Sequence, residues 1–183
     1  MKFVALQIAL AAIIFPTVVL GQTPGSENLS VGSVRELNLK GFNYLYVERQ
    51  VTRATIADVG KTEIPKLFQA IGVAHIQTRG PVIFIFPDHP ADPNASFNVE
   101  MGVGVVGNVV APNGYELTQL PEADCQTVLY GGPMTMVGRA FEGLMPEGSD
   151  GGATPTSEIR IYMLYYEDVE SPNDVALVAL VMK

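Results

Sequence analysis

Apolar positions along this chain alternate between strand-like and helix-like spacing, and the same succession occurs twice. In the first round the strand-like run Arg53-Ala-Thr-Ile-Ala-Asp-Val59 meets Gly60, and Ile64, Leu67, Phe68 and Ile71 then fall at i, i+3, i+4 and i+7. In the second round Gln126-Thr-Val-Leu-Tyr130 runs into Gly131 and Gly132, and Val137, Ala140, Phe141 and Leu144 repeat that helical spacing. Pro65 and Pro133 stand near the expected helix starts, where a missing N–H removes no helical hydrogen bond. Each helix is followed by two predicted strands, Pro81–Phe86 and Phe97–Val105 after the first, Ile159–Leu164 and Val175–Val181 after the second. A further strand is expected over Tyr44–Val51. Turn formers fill Pro87–Asn94 and Glu167–Asp174, and a glycine-rich loop is expected over Gly148–Pro155. The doubling predicts a two-halved sheet able to hold something small at the junction of its halves.

Residues 1–21 have the layout of a secretory signal peptide: Lys2, an apolar run from Phe3 to Leu20 interrupted by Pro16, and the small Gly21. The chain is therefore expected to be exported, periplasmic or secreted, with no stable membrane span once the signal is cleaved. Residues 22–43 read as a flexible leader and 44–183 as one domain, its halves at about 44–110 and 115–183. Acidic residues outnumber basic ones 19 to 11, for a net charge of −8, which disfavours nucleic acid as a partner. The single cysteine, Cys125, cannot form an internal disulfide and reads as a small packing residue. With only His75 and His89 as histidines, neither a metal-ligand cluster nor a hydrolytic triad is readable, and no cofactor is expected. Gly102-Val-Gly104-Val-Val-Gly107 looks faintly like a dinucleotide loop but lies within a strand, where close backbone packing is the better use.

Three strings carry a family resemblance. They are Leu120-Pro-Glu-Ala-Asp-Cys-Gln-Thr-Val-Leu-Tyr-Gly-Gly-Pro-Met134 with Val137-Gly-Arg-Ala-Phe-Glu-Gly-Leu144, Phe97-Asn-Val-Glu-Met-Gly-Val103, and Ile159-Arg-Ile-Tyr-Met163 with Ser171-Pro-Asn-Asp174. In order and spacing the chain from Tyr46 to Met182 resembles the GyrI-like small-molecule-binding family, the AraC-type effector-binding domain. The resemblance implies an α+β fold, in which two pseudo-symmetric strand-helix-strand-strand repeats form one antiparallel sheet with helices on one face and a ligand groove near the junction. No DNA-binding module is expected, since the stretch before Tyr44 has no room for a helix-turn-helix, and the sequence sets no oligomeric state. Family members that bind cationic drugs usually carry a glutamate two residues before the tyrosine matched by Tyr162; this chain has Arg160. Leu177 stands where a further acid is usual, and Met134 replaces an aromatic residue.

By strand periodicity Glu158, Arg160, Tyr162 and Leu164 share a face, opposite Ile159, Ile161 and Met163. An arginine in the groove would reverse a preference for cations, whereas a solvated Glu158–Arg160 pair would matter little. Superposing the repeats sets Phe84 against Tyr162 as the two groove walls, and Val59 against Tyr130; Phe84 as ordinary core is the plainer alternative. Glu100 faces either solvent or the groove. The expected binding residues are thus Arg160, Tyr162, Glu158, Phe84, Glu100 and Tyr130. The leading expectation is an exported protein that binds an amphipathic or aromatic small molecule. The alternatives are a hydrolase of strained, cyclopropane-bearing natural products, using Tyr162 with Glu158 or Glu100, and a non-catalytic envelope interaction protein.

Overall fold

The computed structural model describes residues 29–88, 94–144 and 155–183; the expected signal peptide at 1–21, His89 and most of the Gly148–Pro155 loop lie outside these residues. The elements in chain order are β1 Ser30–Val31, β2 Arg35–Leu39, β3 Phe42–Val51, α1 Ile56–Val73, β4 Thr78–Phe86, β5 Phe97–Val105, β6 Glu116–Leu120, β7 Ala123–Gly131, a 3₁₀ turn at Met134–Met136, α2 Gly138–Leu144, β8 Pro155–Tyr165 and β9 Val175–Met182. Two strand-helix-strand-strand units, β3-α1-β4-β5 and β7-α2-β8-β9, join through the antiparallel pair β4–β8. The fold is α+β with one large antiparallel sheet, ordered β1-β7-β9-β8-β4-β5-β3-β6 with β2 also on β7.

The outer strands tie the two ends of this sheet together. Arg35 pairs with Thr127 and Leu39 with Ala123; Phe42 then pairs with Leu120 and Tyr46 with Glu116, in the same unbroken register. β2–β3 and β6–β7 are therefore two long antiparallel strands that cross, each half lending its leading segment to the edge of the other. At the crossing a Cβ on Gly41 would lie 2.6 Å from the Leu120 carbonyl oxygen, so only glycine lets the backbones approach this closely.

Several expectations are corrected here. Arg53–Val59 is not a strand: a Thr52–Thr55 turn opens α1 at Ile56, and the buried stripe Gly60, Glu63, Leu67, Ile71 follows helical spacing. Phe68, expected on that stripe, is 42 % exposed. Pro65 lies inside α1 rather than at its start. It leaves the Lys61 carbonyl without its intrahelical donor. Pro65→Ala should therefore stabilise the protein by about 2 kcal/mol, the interior-proline penalty of about 3 less the roughly 1 by which proline restricts the unfolded chain; a urea melt checks it. The leader expected over 22–43 contains β1 and β2, both paired to β7. Their side chains are almost all exposed, so backbone hydrogen bonds hold them and no apolar alternation announces them.

The sheet has two apolar faces. On one, α1 packs Leu67 and Ile71 on Leu45, Val103 and Val105, while α2 sets Ala140 and Leu144 into a cluster with Val128, Tyr130 and Val178. Glu63 fastens α1 to β3, pairing with Arg49 and, at 2.8 Å, with Lys66, which lowers its pKa. The opposite face buries Tyr44, Ile83, Ile85, Cys125, Tyr162 and Val181. Cys125 is a buried packing residue, its thiol pKa raised by desolvation. Gly102 and Gly104 serve close packing, with Tyr44 and Tyr46 stacked 5.2 Å apart beside β5.

Candidate functional site

α1 packs against β3 and β5, and α2 against β7 and β9. Neither helix covers the central pair β4–β8, whose helix-side residues would otherwise be roofed. Val82, Phe84 and Phe86 of β4 and Ile161 and Met163 of β8 thus become the floor of a cavity of about 970 Å³, with Phe97 of β5 beside them. Ile56, Ala57, Gly60 and Ile64 of α1 form one wall; Met134, Met136, Val137 and Phe141 form the other. Gly60 leaves room for Phe84, since a Cβ there would already touch the ring at 3.5 Å. The floor is wholly apolar. Among the described residues, charged side chains appear only in the walls, as Arg53, Lys61, Arg139 and Glu142.

This volume lies at the upper end of the range typical of small-molecule pockets, about 300–1,000 Å³, and the apolar lining with a polar rim is their usual chemistry. The flexible thioethers of Met134, Met136 and Met163 can reshape around a guest.

The expected site residues divide between the two faces. Phe84 lines the cavity. Tyr130 is buried beneath α2, its hydroxyl donating to the Pro133 carbonyl at 2.5 Å, and does not line it. Phe84 and Tyr162 do not face one another: Phe84 pairs with Ile161, whereas Tyr162 pairs with Ile83, so their side chains point to opposite sides of the sheet. Nor does Val59 match Tyr130, because Val59 is helical.

Glu158, Arg160, Tyr162 and Glu100 gather on the face away from the helices. Arg160 points neither into the cavity nor to solvent. It is 2 % exposed and donates from Nε to Glu158 Oε1 at 2.6 Å. Burial works to lower its pKa, but that carboxylate raises it overall. Among the described residues the buried Tyr162 hydroxyl has no hydrogen-bond partner, and desolvation raises its pKa despite the neighbouring guanidinium. Tyr44 donates to the Ile83 carbonyl at 2.9 Å. The result is a buried polar cluster behind the cavity floor.

Glu100 stands directly opposite Glu48 across β3–β5. Burial, then repulsion from Glu48, Glu158 and Glu116, pushes its pKa up to about 7. A carboxyl that ionises less readily folded than unfolded leaves stability intact below about pH 4.5 and erodes it as pH rises through 7. Glu100→Gln should therefore stabilise increasingly between pH 5 and 8. The expected gain at pH 8 is about 1–2 kcal/mol, after discounting for the half-exposed site. Chemical melts across that range check it, and a pH-independent difference would count against the cause.

Most of the cavity's own lining was not expected as a site. Ile161, Met163, Val137 and Phe141 read only as core periodicity, because a pocket lining and a core share the same apolar spacing. Among the described residues no helix is long and apolar enough to cross a membrane.

No family model and no curated protein matches the sequence. Among solved structures, the C-terminal domain of EcmrR superposes with a TM-score of 0.70 at 15 % identity, over 82 % of this chain and 97 % of that one. EcmrR in its complex with DNA gives 0.69 at 14 % identity over 85 % of this chain, which spans 58 % of the EcmrR chain. SAV2435 bound to tetraphenylphosphonium gives 0.51 at 10 % identity, over 82 % of this chain and 94 % of that one. At these identities the likeness is one of architecture: this chain shares the fold of the EcmrR C-terminal domain and of SAV2435.

Proposed function

We propose that this protein is an exported binder of a small amphipathic or aromatic molecule, held between α1 and α2 over the β4–β8 floor, and that it acts without binding DNA. The observation that carries this reading is the cavity of about 970 Å³ with its aromatic and thioether lining. The tetraphenylphosphonium complex of SAV2435 supports small-molecule binding on this architecture. Export rests on the layout of residues 1–21, and the exclusion of DNA on the net charge of −8. The hydrolase alternative gains nothing from the geometry, because Tyr162, Glu158 and Glu100 lie behind the floor rather than on it. A purely structural role calls for a groove filled by its own side chains, and the described residues leave the cavity open.

The neutral fluorophore N-phenyl-1-naphthylamine tests the binding reading. It should brighten and shift to the blue on addition of the protein, saturating with one site. Ala57→Trp, which fills the α1 wall, should weaken it at least tenfold with no loss of melting temperature. No binding, or binding indifferent to Ala57→Trp, would overturn the assignment.

A further inference from the structure

The charge around the cavity runs against the charge of the molecule. The chain carries 19 acidic and 11 basic residues, yet among the described residues the cavity wall carries Arg53, Lys61 and Arg139 and one acid, Glu142. Glu142 and Arg139 lie 3.5 Å apart across one helical turn and offset each other, so Lys61 is the wall cation on which the balance turns. Glu170, which does not line the cavity, accepts a hydrogen bond from Thr135 at its edge at 3.2 Å. Among the described residues the apolar floor offers no carboxylate to a buried positive charge. The acids of the buried cluster face the other side of the sheet, where Arg160 offsets Glu158.

From this distribution we infer that the cavity selects amphipathic anions: an aromatic or aliphatic body on the β4–β8 floor, with one carboxylate, sulfonate or comparable group at the rim beside Lys61. The inference deepens the proposed binding function and rests on it. The physical grounds are simple. A lipophilic cation entering this cavity would shed water without gaining a counter-charge, whereas an anion keeps its body dry and its charge beside cations at the solvent boundary. Lys and Arg suit such a rim because their stems cover apolar wall while their charged ends stay hydrated.

Tetraphenylborate and tetraphenylphosphonium, nearly the same shape and opposite in charge, provide the test by isothermal calorimetry on the mature chain. Tetraphenylborate should bind at least tenfold more tightly, a difference of about 1.4 kcal/mol. Raising the salt to 0.5 M should narrow the gap, since exposed rim charges are screened within a few ångströms at that ionic strength. Lys61→Glu should cut the preference at least fivefold with the melting temperature unchanged, which separates a charge effect from misfolding. If the neutral fluorophore binds but the phosphonium binds as tightly as the borate, anion selection is wrong and the binding function stands. A preference unchanged in Lys61→Glu would likewise overturn anion selection by the rim. If none of the three probes binds, the binding function fails and takes this inference with it.

Discussion

Gly102→Ala should destabilise the protein by about 3 kcal/mol or more, lowering the melting temperature by about 6–12 °C. A Cβ at this position would sit 2.3 Å from the Leu45 carbonyl oxygen, 2.7 Å from Tyr46 Cβ and 2.8 Å from Tyr44 Cε2. The first contact is with backbone, so relief requires β3 to move away from β5, while Tyr44 is also held by its hydrogen bond to the Ile83 carbonyl. Gly72→Ala is the matched control. A Cβ there meets nothing within 4 Å, and alanine's higher helix propensity should stabilise the end of α1 by up to about 1 kcal/mol. Opposite signs in the two urea melts are the expected result. A Gly102→Ala cost below about 1 kcal/mol would refute the close β3–β5 packing.

The second large effect concerns the ion pair behind the cavity floor. Glu158→Ala should cost about 3 kcal/mol, the lower end for breaking a buried pair, because the Glu158 side chain is 32 % exposed whereas that of Arg160 is 3 % exposed. Most of that loss is the stranded guanidinium rather than the attraction itself. The double variant Glu158→Ala/Arg160→Met should consequently return to within about 1 kcal/mol of the parent, since a methionine of similar reach needs no counter-charge. A double variant as unstable as the single one would mean that Arg160 contributes through packing or through Tyr162 instead.

The succession of elements is legible in the sequence because the two helices bury one side of an amphipathic pattern and the inner strands are short apolar runs bounded by turn formers. Phe97–Val105 is readable to the residue, and so is the presence of all four strands after the helices. β2 and β6 are not legible: Leu37 and Leu117 remain 43 % and 37 % exposed, and what fixes these strands is pairing with segments far away in the chain. The start of α1 reads as a strand because Thr55, Ile56 and Val59 are β-branched, and the i, i+3 spacing of Ile56 and Val59 spans too short a run to establish a helix.

The site is half legible. Alternation correctly groups Arg160 with Tyr162 and Ile161 with Met163, but both faces of β8 are apolar enough to be buried, so alternation alone does not say which side the helices occupy. Superposing the repeats pairs Phe84 with Tyr162, one residue from the true partner Ile161, and in a sheet one residue is the whole difference between faces. Phe84 belongs to the cavity; the residues chosen to confront it lie behind the floor.

The crossing of β2–β3 with β6–β7 has a kinetic consequence. Arg35 meets Thr127, and this pairing must wait until the second half of the chain exists. During synthesis the first half emerges with β3 lacking β6 and with β2 lacking any partner strand, so it cannot complete its own sheet. Closure of such distant contacts makes folding slow relative to a helical protein of this length. It also makes the two halves obligate partners: a chain cut between them should yield fragments that regain structure only when mixed.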